Sequence, residues 1–207
     1  MRKSVRPRQT PSPLASYRSA TRPPRRERVR PSAAVEAPVV DAFSTADGRP
    51  LALRAIRPDD ADALRRAFAR LTPEQVRLRL FYRMNELSAE AAAWMTDIDP
   101  STTVAYVVVD PDGEIRGEAR MHIDAVTDSG EFAVAVDPDY VHQGIGRRLM
   151  QRLIADARER KLYELWGDVL AENHTMLDFV KALGAERHSV PDEPGVTRVS
   201  FRLRPAD

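Results

Sequence analysis

There is no cysteine anywhere in the 207 residues, which excludes a disulfide framework and thiolate chemistry alike. No stretch approaches the roughly 18 consecutive apolar residues that a membrane-spanning helix needs. No continuous apolar h-region opens the chain, so a secretory signal is not expected. Read together, these absences suggest a cytoplasmic protein with no membrane partner. No internal repeat is visible. The four histidines, His122, His142, His174 and His188, lack metal-ligand spacing, and no metal is expected.

What is present is a 43% apolar composition, enough for a globular core, and a lopsided charge. Residues 1–30 hold ten Lys/Arg and one acid, Glu27, for a balance of +9; the rest of the chain balances at −8. Residues 1–38 are rich in Arg, Pro, Ser and Ala and cannot bury enough surface to offset their ordering entropy. A disordered basic tail is expected there, followed by one domain over 39–207. The tail is acid-poor like a transit peptide, but its prolines oppose an amphipathic helix. A basic tail can meet nucleic acid or an acidic partner; the plainer reading is a solvated tail, so nucleic acid is not the expected partner.

Residues 39–45, Asp47-Gly48 and 51–57 read as a hairpin. Pro58-Asp59-Asp60 opens a helix, with Asp59 or Asp60 capping it or sitting in its first turn, and Ala63, Leu64, Ala67, Phe68 and Leu71 inward. Thr72-Pro73-Glu74 opens a second helix, and Ser88 caps a third over 89–95. Strands are expected at 103–110, 114–123 and 131–136, with turns at Pro111-Asp112-Gly113 and Asp128-Ser129-Gly130. A strand at 162–170 and a helix at 172–183, closed by Gly184, come next. The last pair is 186–190 with 196–203; the latter alternates Val199, Phe201 and Leu203 against Arg198, Ser200 and Arg202, as a half-exposed strand would.

The chain centres on Val136 to Met150, VDPDYVHQGIGRRLM. A strand ends at Asp137-Pro138-Asp139 and leads through Gln143-Gly144-Ile145-Gly146 into a basic helix. That helix carries Ile145, Leu149, Leu153, Ile154 and Ala157 on one face. Free amides in its first turn, together with the helix dipole, suit a phosphate or pyrophosphate, and Arg147 and Arg148 add positive charge. His142 lies beside this loop, either at the phosphate or simply on the surface. A P-loop is excluded, because Arg147 follows Gly146 where Lys-Ser/Thr is needed. A dinucleotide fingerprint is weak, because Leu149 stands at its third glycine. An ordinary strand-turn-helix with packing glycines stays open.

The run VAVDPDYVHQGIGRRLM resembles the acyl-CoA-binding motif of the GNAT acetyltransferases, (Arg/Gln)-x-x-Gly-x-(Gly/Ala), with Gly144 and Gly146 in place and Val141 at the leading position. Three further stretches are similar to the acetyltransferase domain of Pat-type bacterial protein lysine acetyltransferases. These are the opening Asp47 to Asp60, Leu71-Thr72-Pro73-Glu74 with Arg79-Leu80-Phe81, and LWGDVLAENHTML. The order of elements over 40–203 agrees. The resemblance implies an α/β (α+β) GNAT fold: a mixed, mostly antiparallel sheet of six to seven strands, splayed after the fourth core strand.

The resemblance also implies a site. Acetyl-CoA is the expected co-substrate, its pantetheine pairing with the backbone of Val134, Ala135 and Val136 and its pyrophosphate on Gly144, Ile145, Gly146 and Arg147 beside His142 and Gln143. Asn173 matches the family asparagine that meets the pantetheine arm; as a helix N-cap it has a second reading. Glu131 matches the Pat-type general base, with the solvated strand-end acid as its plain alternative. Asp128, Asp124 and Glu118 are weaker candidates, read as solvated. Where many GNAT enzymes place a tyrosine as general acid, seven residues after Asn173, this chain has Val180, with Phe179 beside it. Tyr163, Tyr140 and Tyr106 read as packing residues, and Trp94 and Trp166 as core or groove wall. The expected activity is acetyl transfer to a lysine of a protein, for example an acyl-CoA synthetase. A small-amine acetyltransferase and a non-catalytic acyl-CoA sensor are the alternatives.

Overall fold

Asp47-Gly48 reverses the chain at the first hairpin, with Gly48 at φ 85°, where a side chain would be strained. The hairpin joins β1 (Val39–Ser44) to β2 (Pro50–Ala55). The structure, a computed structural model, describes residues 38–81, 86–191 and 193–204. The expected basic tail falls on residues outside these, apart from residue 38. The described residues all belong to a compact unit running Glu36–Asp207.

After the hairpin a single 3-10 turn at Pro58–Asp60 feeds α1 (Ala61–Arg70). Asp60 takes the expected first-turn place by accepting from the Arg57 amide at 2.8 Å. Its buried carboxylate also grips Arg54 of β2 through two 2.7 Å bonds, a partner the local sequence does not announce. Thr72 and Gln75 form a reciprocal capping box that starts α2 (Pro73–Leu80). Ser88 accepts from Ala91 N and starts α3 (Ala89–Thr96).

β3 (Thr103–Val109), β4 (Ile115–Asp124) and β5 (Ser129–Val136) form an antiparallel meander. A 3-10 turn at Pro138–Tyr140 then leads to α4 (Ile145–Glu159). β6 (Glu164–Leu170), α5 (His174–Ala182), β7 (Glu186–Ser189) and β8 (Val196–Arg202) complete the fold. Among the described residues the sheet has eight strands in the order β1-β2-β3-β4-β5-β6-β8-β7, one more than the upper expectation. All its pairings are antiparallel except β5 with β6.

Strand alternation sends side chains to two cores. On one face α4 buries Ile145, Leu149, Leu153, Ile154 and Ala157, as expected, against Ala119, Met121, Phe132, Leu165 and Val199. Gly117 lies under this helix: a Cβ there would come within 2.5 Å of Ile145 Cγ2. On the other face α1 and α3 cover Val107 and Ile115 with Ala63, Leu64 and Ala92. Because β8 is an interior strand between β6 and β7, Ser200 is buried along with Val199 and Phe201, so the half-exposed pattern expected of this strand does not hold at its centre. Trp94, at 54% exposure, and Tyr163, at 39%, face solvent rather than the core. No helix among the described residues is long and apolar enough to cross a membrane.

Candidate functional site

The site begins where β5 loses a neighbour. Ser129, Gly130 and Glu131 pair with Glu164, Leu165 and Trp166 of β6, and the ladder stops there. Beyond it β5 runs on beside β4 alone to Val136, while β6 runs on beside β8 alone to Leu170. The two strands therefore part, and the sheet is splayed after β5, the fourth strand of the core counted from β2. Residues 133–136 of β5 are only half-buried although they sit mid-sheet. A slender molecule bearing amides could pair there as an added strand.

At the far end of the open half lies the glycine loop. Tyr140, buried and flanked by the guanidinium groups of Arg49 at 4.0 Å and Arg116 at 4.8 Å, anchors it. Asp137 holds its start: the carboxylate accepts from Arg70 at 2.7 Å and Arg116 at 3.0 Å, and from the amide of Asp139. Gln143 Oε1 accepts from the Ala46 amide at 3.1 Å, tying the loop to the first hairpin. His142 and Gly144 both have positive φ, 61° and 80°. The left-handed step at Gly144 turns the chain into α4, whose first hydrogen bond runs from Arg148 N to Gly144 O.

Among the described residues, no backbone or side-chain acceptor meets the amides of Gly144, Ile145, Gly146 or Arg147. They open a helix of fifteen residues, so the dipole adds to their donors. The arrangement suits the two charges of a pyrophosphate. A Cβ on Gly146 would lie 3.4 Å from Phe179 Cζ and 3.6 Å from Val136 Cγ2, ordinary contact, so alanine would also fit there. Of the two arginines expected to add charge, Arg147 is the more exposed. Arg148 is spent on Asp41 and stacks over Phe43 at 4.2 Å.

Asn173 caps α5, its Oδ1 accepting from Met176 N at 3.1 Å. This bears out the N-cap reading and places the residue on the β6 side of the opening. Phe179 packs over Gly146, while Val180 is fully buried. Tyr106 and Tyr140 pack as expected, although the Tyr106 hydroxyl also donates to Asp156 at 2.7 Å.

Glu131 sits at the parting point itself, 5% exposed, on the sheet face opposite α4. The solvated-acid alternative does not describe it. Opposite it on β4 stands His122, whose imidazole is held below its ordinary value of 6.5 by burial, with Asp124 opposing. On β6 stands Trp166, with the Arg198 guanidinium 4.0 Å over its ring. Arg198 is held firmly protonated, first by its two 2.9 Å bonds to Asp168, against burial, and with a contribution from the charge of Glu131. Asp124 is held below its ordinary range, chiefly by the Val126 amide. Asp128 is a turn residue at φ 51° near Arg204.

Glu118 departs from the expected solvated acid. It is 4% exposed and bonds Arg79 at 2.5 Å and Arg120 at 2.6 Å. Burial pushes its carboxyl up, but Arg120 and Arg79 together outweigh this and hold it below its ordinary value. The sequence reading missed α2 as part of the site. Gln75 Nε2 lies 3.4 Å from Val136 O on the β5 side, and Arg77 meets Glu172 at 2.6 Å on the β6 side. This short helix therefore reaches both lips of the opening. The Thr72-Pro73-Glu74-Gln75 capping box was a legible signal for its start, but not for its position.

The model described as the acetyltransferase (GNAT) family matches residues 62–185. An acetyltransferase of Pseudomonas aeruginosa is 31% identical over 160 residues, covering 76% of this chain and 85% of the relative. Among solved structures, the GNAT domain of S. lividans PAT is similar at a TM-score of 0.72 and 26% identity, over 79% of this chain and 96% of that one. The spermidine N-acetyltransferase of Vibrio cholerae, solved with CoA and spermine, is similar in fold at a TM-score of 0.62 and 17% identity, over 74% and 95%.

Proposed function

The chain belongs to the acetyltransferase (GNAT) family and is an N-acetyltransferase with acetyl-CoA as co-substrate; from that premise we propose that it acetylates a lysine side chain of a protein, with Glu131 as general base. The amides of Gly144 to Arg147 fit the pyrophosphate, since the chain itself leaves them without acceptors among the described residues. The half-paired backbone of Val134, Ala135 and Val136 fits the pantetheine arm, and Asn173 stands on the facing lip. His142 and Gln143 shape the loop beside the phosphates.

The chemistry asks for a neutral amine. A lysine pKa near 10.4 leaves roughly one amine in a thousand neutral at pH 7. Glu131 takes one proton from the ammonium, directly or through one water, and the freed lone pair attacks the thioester carbonyl. A backbone N–H of β5 donates to the carbonyl oxygen as charge develops there. The carbon–sulfur bond then breaks, the thiolate leaves, and the nitrogen gives up its second proton to water. Val180 supplies no acid at the place where a tyrosine would, so the thiolate takes its proton from water.

The observation that carries this reading is the position of Glu131: a buried carboxylate at the one point where the two halves of the sheet separate. The acidic balance of the chain beyond residue 30 favours a cationic acceptor. The test is incubation with acetyl-CoA and candidate proteins, acyl-CoA synthetases first, with modified sites read by mass spectrometry. Acetyl groups found on lysine Nζ support the reading; transfer only to free small amines overturns it. The catalytic unit is residues 39–207, and the basic stretch before it is dispensable. Deleting 1–38 should leave the melting temperature within about 1 °C and turnover within about twofold, since a stretch of that Arg, Pro, Ser and Ala composition buries little apolar surface; a drop of several degrees would refute this.

A further inference from the structure

Arg79 on α2 has hydrogen-bonding capacity left over after its ion pair is made. Its Nη2 is 2.5 Å from Glu118, and its side chain is 13% exposed. Its Nη1 is also buried, yet meets no acceptor among the described residues. A charged donor taken out of water without an acceptor is costly, and such groups in native proteins call for an explanation.

The position of the group supplies one. Glu118 lies opposite Ala135 in the β4–β5 ladder, so Arg79 stands over the open half of β5, on the face that carries Glu131. Along β5 on that face lie Ala133 and Ala135, both half-buried, with no β6 partner alongside, and Arg120 of β4 stands opposite Ala133. The four residue steps from Glu131 to Ala135 span about 13 Å of strand at ~3.3 Å per residue. The helix is held in place from both lips, by Gln75 on Val136 O and by Arg77 on Glu172.

We propose that Arg79 orients the acceptor: Nη1 donates to a main-chain carbonyl of the incoming peptide, and the lysine arm runs over Ala135 and Ala133 to Glu131. This rests on the lysine reading above. A lysine's four-carbon stem carries the amine well away from its own main chain, as the separation of the two groups demands. An amine without a distant carbonyl reaches Glu131 but leaves the Arg79 donor unmet. The acceptor class is therefore a lysine within a polypeptide, rather than a bare alkylamine or an α-amine.

The test compares two acceptors, lysine blocked as Nα-acetyl-lysine methylamide and n-pentylamine, which has a similar arm and no carbonyl. Wild-type protein should prefer the blocked lysine at least tenfold in kcat/KM. Arg79→Lys keeps a cation on Glu118 but loses the spare donor. It should lose about tenfold on the blocked lysine, mainly through KM, with n-pentylamine and the KM for acetyl-CoA within twofold of wild type. A parallel fall on both acceptors would show that Arg79 only supports the fold, and no fall on either would also overturn the assignment. Should Arg79→Lys not fold, the wild-type ratio decides, and a ratio under twofold overturns it while leaving amine acetylation standing. Wild-type protein that binds acetyl-CoA but modifies neither acceptor removes the lysine reading itself, and Arg79 with it.

Discussion

The two halves of β5 belong to one continuous strand and have opposite surroundings. Ser129 to Glu131 are zipped to β4 on one side and β6 on the other, and all three are buried. Residues 132–136 are zipped to β4 alone, and exposure begins after Phe132. Backbone donors and acceptors are obligatory hydrogen-bonding groups, so the second half is waiting for a partner in a way the first is not. Glu131 is the last residue of the closed half. A carboxylate there is desolvated by the sheet behind it and still stands next to the opening in front. That combination, rather than any single motif, is what makes the position suited to proton transfer.

The boundary between the two halves is the most sensitive position. Glu131→Gln should lower kcat about a hundredfold or more at neutral pH, in line with the usual 10²–10⁴ worth of a general base, with acetyl-CoA affinity unchanged by calorimetry. Turnover within a few-fold of wild type would remove Glu131 as the base.

The next largest effect is on the side both halves share. Glu118→Gln leaves two arginines buried around a neutral amide and should cost about 3 kcal/mol at pH 7, read by urea unfolding. The Glu118 carboxyl is held below its ordinary 4.5. Its stabilising effect is therefore fully present above that value and is lost as the pH falls through the depressed one. The gap between wild type and variant should close on acidification below about pH 4, and a gap that widens there would contradict the assignment.

Gly117→Ala probes the floor beneath α4. The new Cβ would lie 2.5 Å from Ile145 Cγ2 and 3.0 Å from Leu149 Cδ1, both fully buried. Overpacking of this kind costs about 2 kcal/mol. Because it lifts the first turn of α4, the KM for acetyl-CoA should rise several-fold while kcat holds. Asn173→Ala, on the far lip, should lose only the helix cap, about 1 kcal/mol by thermal unfolding. A rise in the KM for acetyl-CoA beyond that loss would add pantetheine contact to its capping role.

Much of this architecture was legible because it is local. The hairpin at Asp47-Gly48, the Ser88 and Asn173 caps, the apolar stripe of α4 and the glycines before it are all set by neighbours within a few residues. What could not be read depends on partners distant in sequence. The parting of β5 from β6 joins 129–131 to 164–166. Arg148 reads as added positive charge at the helix start until Asp41, 107 residues earlier, pairs with it. Glu118 reads as solvated until α2 is laid over β4 and brings Arg79 to it. Trp94 reads as core or groove wall and Tyr163 as packing, and the fold leaves both exposed. The spare donor of Arg79 has no sequence signature at all, because it exists only when α2, β4 and β5 are assembled.

The parting of the strands has one more consequence. Exposed sheet edges normally invite aggregation with other sheets, and proteins blunt them with charge or cover them. Here the unfinished edge is recessed in the interior, walled by β6 on one side and spanned at its mouth by α2. A neighbouring sheet would have to displace α2 to pair there, so the protein keeps an unfinished edge without the hazard that usually goes with it.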